Sequence, residues 1–264
     1  MNAKNVIVII LAMLFLLPMD VNAQATNSIK RLDTISDEAL QMAKTYRYEE
    51  AAKFLNLFEE EFMELTEKGH LFTMDELRII TVSHAEAKEA ITNSELDQKE
   101  RLYRVTQFRL VMDAVMSTYQ PMWTELEAPI MTIFSGMKIA AQNGDNENFI
   151  ENLESFLTLY NVIYPSLKID VTPEKIQQLN ARVNYLNQYP EAITAASNQE
   201  ELYALENDLR KIFDGMTDDE TDPSLWWVII STGSIIIMTL SYVGWRKYKA
   251  DKQRRLNRLK ERKN

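Results

Sequence analysis

Apolar side chains recur every third or fourth residue along most of the chain between residues 26 and 222. This spacing places them on one face of an α-helix, whereas the strict alternation of apolar and polar residues that is typical of strands is hard to find. We therefore predict an all-α protein with about eight helices in this region. The clearest stripes are Ala51, Leu55, Phe58, Phe62 and Leu65; Val105, Phe108, Met112, Val115 and Tyr119; and Phe149, Leu153, Phe156, Leu157 and Tyr160.

Capping and turn residues mark where these helices begin and end. Residues 73–76 (TMDE) and 197–200 (SNQE) have the pattern of a capping box, which opens a helix. Gly144 separates two stripes, and the second of them predicts a helix over Glu147–Ile163. Gly215 is expected to end the last helix of the region, because glycine is the usual residue just after a helix.

Two stretches resemble each other, YRYEEAAKFLNLF at residues 46–58 and GDNENFIENLESF at residues 144–156. Both place a helix–turn–helix before an apolar run, which is the texture of tetratricopeptide-type hairpins with a period of about 34 residues. The two runs lie 98 residues apart, which is not a multiple of that period, and the Trp-Leu-Gly positions are absent. The architecture is therefore either a helical bundle or a short helical-hairpin (TPR-like) solenoid.

The N-terminus has the order of a secretory signal peptide. Lys4 precedes an unbroken apolar run, Val6–Leu17, and Pro18 and small residues follow it. The run would span only about 18 Å as a helix, too short for a hydrocarbon core of about 30 Å. We predict cleavage after Ala23 or Ala25; an uncleaved signal anchor is the alternative.

A second apolar segment lies near the C-terminus and predicts a transmembrane helix over residues 223–245. The 21 residues Leu225–Trp245 carry no charge, and such a helix is about 31 Å long. A buried terminal helix is the alternative, but it rarely needs aromatic residues at both ends. The aromatic residues expected at the two membrane interfaces are Trp226, Trp227, Tyr242 and Trp245.

The charges on either side of this segment predict its orientation. Before it, DGMTDDETDPS has five acidic residues and no basic one. After Trp245 there are ten Lys/Arg and two acidic residues, so this tail is +8 and the preceding residues are −18 of a net −10. The positive-inside rule puts the tail in the cytoplasm. The basic residues nearest the membrane are Arg246, Lys247, Lys249, Lys252, Arg254 and Arg255.

Together these features predict a single-pass type I protein of the cell membrane. Its parts are a cleaved signal peptide (1–25), an acidic α-helical extracytoplasmic domain (26–222), a transmembrane helix (223–245) and a basic cytoplasmic tail (246–264).

Candidate catalytic or metal-binding residues are few. The chain has no cysteine and two histidines, His70 and His84, and no HExxH, GxSxG or phosphate-binding glycine motif is present. His84 falls on an apolar stripe, where a lone histidine is more often a hydrogen-bonded core residue than a ligand. Runs of acidic residues are typical of solvated helix faces. We predict no catalytic site, no metal and no cofactor.

The basic tail and the small residues of the apolar segment indicate partners. Ten cations would attract nucleic acid, but they begin at the membrane face, where anionic lipids and topology account for them. The predicted partner is therefore the membrane and not a nucleic acid. A homodimer through a serine face of the span is also considered, although no GxxxG motif is present. That face comprises Ser231, Ser234 and Ser241.

The arrangement resembles the YpjB-type sporulation proteins of endospore-forming Bacillus relatives. The resemblance rests on the N-terminal signal, the cysteine-free helical region with YRYEEAAKFL near its start, and the C-terminal segment WWVIISTGSIIIMTLSYVGWRKYK. It covers essentially the full chain, but in layout and not in a catalytic signature. It implies a protein associated with sporulation, anchored in a membrane of the mother cell, with no assigned reaction or ligand.

Two functions are predicted from these features. The first is a membrane-anchored interaction protein that binds another envelope protein during sporulation. The alternative is a ligand-binding envelope sensor that signals through the span to a cytoplasmic partner. An envelope enzyme that uses carboxylates ranks below both.

Overall fold

The computed structural model describes residues 23–69, 71–117, 120–194, 199–217 and 223–261, and every regular element in these ranges is helical. The prediction of an all-α protein is therefore confirmed. The chain divides into two compact units, residues 1–216 and residues 217–264. His70, Ser197 and most of the predicted signal peptide (1–25) lie outside the described residues.

The helices are, in chain order, α1 (Ala23–Lys44), α2 (Tyr48–Lys68), α3 (Met74–Thr92), α4 (Gln98–Met116), a 3-10 helix (Met122–Leu126), α5 (Glu127–Asn143), α6 (Asn146–Asp170), α7 (Pro173–Gln188), α8 (Pro190–Thr194), α9 (Glu200–Thr217) and α10 (Pro223–Glu261).

Helices α1 to α4 form a four-helix bundle in which each helix packs against its neighbour along the chain and α4 returns to α1. The stripe predicted for α2 faces inward, and Leu55 and Phe58 are fully buried. The contact between α2 and α3 is the smallest of the four between neighbouring helices of the ring.

Helices α5 to α9 enclose a second apolar core. The 3-10 helix supplies its largest side chain, Trp123, whose ring lies 5.5 Å from that of Phe213 on α9. The predicted stripe of α6 is buried here, with Phe149 and Phe156 fully enclosed. Packing of α6 against α4 joins this core to the four-helix bundle.

Helix α4 is buried on two sides because it contributes to both cores. All eight side chains of Gln107–Ala114 are buried, including those of Arg109 and Asp113. The stripe predicted from the sequence identified only the side that faces α1, α2 and α3. A helix buried all round loses the amphipathic pattern by which its inner face is recognised.

The structure confirms some of the predicted helix starts and ends and corrects others. The Thr73 hydroxyl accepts from the Glu76 amide at 3.2 Å while the Glu76 carboxylate accepts from the Thr73 amide at 2.6 Å, so that capping box is confirmed. Gly144 has a φ of 67° and ends α5, as expected. The end predicted at Gly215 is wrong, because α9 continues to Thr217. The end predicted at Ile163 is also wrong, because α6 passes through Pro165.

Candidate functional site

The part of α10 between Val228 and Lys249 has the length and composition of a membrane span, and no other described helix does. All described side chains of this segment are exposed apart from the intermediate position Gly233. Ile235 and Leu240, for example, are 65% and 67% exposed. A protein surrounded by water rarely exposes so large an apolar surface. Such a surface marks contact with a membrane or with another protein. The segment is therefore compatible with a membrane anchor.

The predicted interface aromatics lie on this helix. Tyr242 and Trp245 are exposed near the end of the apolar segment, and the Lys249 ammonium lies 5.6 Å from the Trp245 ring. Trp226 and Trp227 belong to the first turns of α10, and their side chains lie outside the described residues. The aromatic end and the first cations are thus adjacent on one helix.

The predicted serine face and basic tail also lie on α10. Ser231, Ser234 and Ser241 are exposed, and the Ser231 hydroxyl donates to the carbonyl of Val228 at 3.1 Å. A hydroxyl bonded within its own helix needs no partner helix to satisfy it. The helix continues unbroken from the apolar segment into the basic one. Its described basic side chains, all exposed, are Arg246, Lys247 and Lys249; Lys252, Arg254 and Arg255 follow in the same helix, with side chains outside the described residues.

The first unit carries an apolar groove between α2 and α3, here named the α2–α3 groove, with a volume of about 400 Å³. Ile80 and the ring of Phe58 form its buried floor. The rings of Phe58 and Phe62 stack at 5.5 Å, and Phe58 meets the buried Phe108 edge-on at 4.8 Å. The residues that define the groove are Phe58, Phe62, Met63, Leu77, Ile80 and His84.

His84 forms part of this floor and is a core residue, as its place on the apolar stripe predicts. The ring nitrogen Nε2 lies 2.8 Å from the carbonyl oxygen of Leu55. Since a carbonyl only accepts, Nε2 carries the proton. Burial lowers the pKa of His84, while the Leu55 bond and the nearby carboxylate of Glu59 oppose this effect. The imidazole is therefore neutral at neutral pH.

Replacing His84 with leucine is expected to cost no more than about 1.5 kcal/mol of stability. Leucine keeps the apolar contacts, and the Leu55 carbonyl retains its helical hydrogen bond. Urea unfolding of the full chain in detergent measures the change. The matched variant His84→Asp, which buries a charge in the same place, should cost several kcal/mol. Loss of function with unchanged stability in His84→Leu would show that the ring has a role beyond packing.

A second, polar groove lies where α3, α4 and α6 meet, and we name it the α4–α6 groove. It has a volume of about 380 Å³. Arg104 bridges Glu100 at 2.8 Å and Glu86 at 3.0 Å along one wall. An adjoining cleft of about 190 Å³ extends it past Pro165. The residues that define the groove are Glu86, Glu100, Tyr103, Arg104, Gln107 and Tyr164.

Pro165 explains why this groove contains a buried amide. Proline has no N–H, so the carbonyl of Asn161, one turn earlier in α6, loses its helical partner. The amide of Gln107 on α4 lies 3.4 Å from that carbonyl and donates to it. Gln107 thus gives the freed carbonyl a partner and joins α4 to α6.

Carboxylates and one guanidinium surround the other end of α4. Arg109 Nη1 donates to Asp33 Oδ1 at 2.8 Å, and Arg109 Nε lies 3.5 Å from Asp37 Oδ1. Asp113 accepts from the amide of Met122 at 2.6 Å. Burial raises the pKa of Asp33, against the opposing effect of Arg109. The arrangement ties α1, α4 and the 3-10 helix together.

Asp170 is the last residue of α6 and adjoins this group. Its Oδ2 accepts from the indole N–H of Trp123 at 2.7 Å. Burial raises the pKa of Asp170 to about 6; the indole hydrogen bond lowers it and the neighbouring Asp113 raises it. Asp170 therefore changes charge within the pH range in which many proteins operate. No group of three His, Cys, Asp or Glu among the described residues is arranged to hold a metal ion.

The sequence did not identify either groove or the buried polar residues of α4. Gln107, Arg109 and Asp113 resemble surface residues of an amphipathic helix, and only the packing of α6 and α1 on α4 buries them. Pro165 is the local signal that could have indicated the role of Gln107, since a proline within a helix leaves a backbone carbonyl without its helical partner.

Comparison with known proteins places the chain in a family. The family model described as sporulation protein YpjB (SpoYpjB) matches residues 29–257. The Bacillus subtilis (strain 168) protein described as uncharacterized protein YpjB is 36% identical over 267 residues, which cover 99% of this chain and 98% of that protein. No solved structure matches the chain. The match spans the helical unit, the candidate anchor and most of the basic segment, so the resemblance in layout is confirmed: the chain belongs to the YpjB family of sporulation proteins.

Proposed function

We propose that this chain is a single-pass type I membrane protein of sporulating cells whose acidic helical unit lies outside the cytoplasm and binds another envelope protein. The observation that carries the proposal is the exposed apolar surface of α10, followed without a break by Arg246, Lys247 and Lys249. Membership of a sporulation family supports the cellular setting.

The distribution of charge supports the orientation. Residues before Arg246 have a net charge of −18, and the tail has a net charge of +8. Lys and Arg beside a span favour the cytoplasmic side, and each is worth about 1 kcal/mol near an anionic leaflet. A cleaved signal over residues 1–25 would deliver the same orientation independently.

Binding of another protein is supported by the surface of the helical unit. The helices pack in pairs along the chain as α1–α2, α3–α4 and α5–α6, and the two stretches that resemble tetratricopeptide hairpins, residues 46–58 and 144–156, belong to the first and third pairs. Stacked helical hairpins present grooves between neighbouring helices to their partners. The α2–α3 groove is an apolar surface of this kind, with Met63 58% exposed at its edge.

A second candidate is a ligand-binding sensor, and the α4–α6 groove favours it. Its paired charges on Glu86, Glu100 and Arg104, next to two tyrosines and an amide, suit a small polar ligand. Polar groups that converge in a concave site fix the orientation of a bound ligand. The two candidates differ in what purifies with the chain from sporulating cells, an envelope protein for the first and a small molecule for the second.

Reporter fusions test the membrane topology. A fluorescent protein that matures only in the cytoplasm should fluoresce when fused after Asn264, and alkaline phosphatase fused there should be inactive. Alkaline phosphatase fused after Asp222, in place of α10 and the tail, should be active. The intact chain should stay in the membrane pellet after alkaline carbonate extraction, whereas the chain that ends at Asp222 should be soluble.

Two results would contradict the proposal. Active phosphatase after Asn264 would reverse the orientation, and extraction of the intact chain by carbonate would exclude α10 as a span. The control is a chain that ends after Lys249, which keeps the apolar segment and the first three cations and should remain in the pellet.

A further inference from the structure

The α2–α3 groove combines a buried aromatic floor with an open side. Phe58 and Ile80 at its base are 1% and 0% exposed. Phe62 stacks on Phe58 at 5.5 Å and reaches Phe72 at 5.7 Å, so the rings form a continuous row. The accessible apolar surface lies above this floor, on the half-buried Phe62 and Leu77 and on Met63, which is 58% exposed.

The length of the groove matches a short helical segment. The ion pair of Lys88 and Glu59, at 2.6 Å, crosses from α3 to α2 at one end. From Glu59 to Thr66 on α2 the groove extends about two helical turns, or about 11 Å. A helix lying in such a groove inserts side chains at positions i, i+3 or i+4, and i+7. Met63 stands at the edge, and methionine adapts to the shape of different apolar partners.

The charged side chains of α2 beside the groove are carboxylates, and Lys88 of α3 pairs with one of them, Glu59. Glu59 and Glu60 lie one turn before Met63 on α2, and Glu67 lies one turn after it, and all three are exposed. The groove positions on the α3 wall, Leu77 and Thr81 among them, are uncharged. An occupant with cations beside its apolar face would meet complementary charge, which favours both encounter and specificity.

A second copy of this chain does not fit these charges. A symmetric contact between two such grooves would place the same carboxylates opposite one another. The basic stretch of a second copy begins after Trp245, and in the proposed topology it lies across the membrane from the groove. The occupant therefore has to come from another protein.

We propose that the α2–α3 groove binds an amphipathic helix of an envelope partner that carries apolar side chains on one face and Lys or Arg beside them. The inference rests on the proposed function and adds the surface and the chemistry of the partner.

A synthetic helix tests the groove directly. The probe is a labelled peptide of about 15 residues, long enough for a helix to form, with leucine on one face and lysine elsewhere. The full chain is held in an uncharged detergent, and fluorescence anisotropy measures binding. Met63→Lys should weaken binding about tenfold, since it removes one apolar contact and introduces a positive charge that repels the lysines of the peptide. Met74→Lys adds the same charge at a methionine that is 80% exposed and outside the groove, and it should change binding less than twofold.

Two outcomes of this experiment would overturn the proposal. Equal weakening by Met63→Lys and Met74→Lys would mean that the peptide binds through general attraction to an acidic protein. Equal binding of a matched peptide with glutamate in place of lysine would remove the argument from charge.

Site-specific photocrosslinking in sporulating cells separates this inference from the proposed function. The crosslinking residue is placed at Met63, at Met74 or at the exposed Tyr189. The expected result is a crosslink to a different envelope protein from position 63 alone. Crosslinks from Met74 or Tyr189 but not from Met63 would overturn the groove and leave the proposed function intact. A crosslinked product of two copies of this chain would overturn the proposal that the occupant is another protein. Absence of a crosslink to any other protein from all three positions would overturn both the groove and the proposed function.

Discussion

Replacing Arg109 with alanine is expected to lower the free energy of unfolding by about 1–3 kcal/mol, because the half-buried carboxylate of Asp33 loses its cation. The Arg109 side chain is 8% exposed, and its guanidinium donates to Asp33 Oδ1 at 2.8 Å. Burial already raises the pKa of Asp33, and Arg109 is the group that opposes this rise. Without Arg109 the Asp33 carboxylate either remains charged without a cation, which destabilises the folded state, or takes up a proton. The deficit should therefore shrink as the pH falls, because a protonated Asp33 needs no cation.

Arg104→Ala is the matched control, since it removes the same side chain five residues earlier on α4. Arg104 also bridges two carboxylates, but its side chain is 40% exposed. Ion pairs at such positions contribute about 1 kcal/mol or less. Urea unfolding of the full chain in detergent, followed by circular dichroism, measures both variants. Equal losses would contradict the account, because burial is the difference between the two arginines. The double variant Arg109→Met, Asp33→Leu should recover most of the loss, as paired replacement of buried ions often does.

These two arginines show which parts of the fold the sequence could predict. Both stand on a helix that its apolar spacing predicts, and their residue types are alike. What separates them is the position of α1, since Asp33 lies 76 residues from Arg109 along the chain. Local patterns establish that a helix forms and which face is most apolar. They do not establish which of its polar residues a distant helix will cover.

The candidate anchor and the α2–α3 groove likewise differ in how far they could be predicted from the sequence. The apolar surface of α10 is continuous in the sequence, so predictions of its length, its aromatic ends and its cations need only neighbouring residues. The groove depends on the spacing between α2 and α3, which their stripes do not determine. Phe62 and Met63 are adjacent in the chain, yet one packs against the aromatic row and the other is 58% exposed.

Helices α6 and α9 continue past Pro165 and Gly215 for a common physical reason. Each residue disfavours a helix locally, by about 3 kcal/mol for proline and about 1 kcal/mol for glycine. Packing outweighs this cost at both positions, since Leu167, two residues after Pro165, and Phe213, two residues before Gly215, are buried. At Pro165 the hydrogen bond from Gln107 adds a specific compensation. Tertiary contacts of this kind override local preference, so both helices continue past their predicted ends.

Replacing Asp170 with asparagine is expected to stabilise the fold above pH 6 and to leave it unchanged near pH 4. Burial raises the pKa of Asp170 to about 6 in the folded state, against about 4 in an unfolded chain. Between these values the folded state binds more protons than the unfolded state, so the stability of the native chain falls as the pH rises through this window. Two pKa units correspond to about 2–3 kcal/mol. Asparagine carries no charge and its oxygen can still accept from the Trp123 indole.

The difference in unfolding free energy between Asp170→Asn and the native chain isolates this effect from other titrating groups. His84, whose pKa is lowered by burial, gives a pH dependence of the opposite sign, but it is present in both chains and cancels. The difference should rise from near zero at pH 4 to its full value at pH 8. Trp123→Phe supplies the converse case: loss of the indole donor raises the pKa of Asp170 in the folded state further, so the fall in stability should still begin near pH 4 but extend to higher pH. A difference that stays constant across the range would mean that the Asp170 carboxylate is not desolvated at the end of α6.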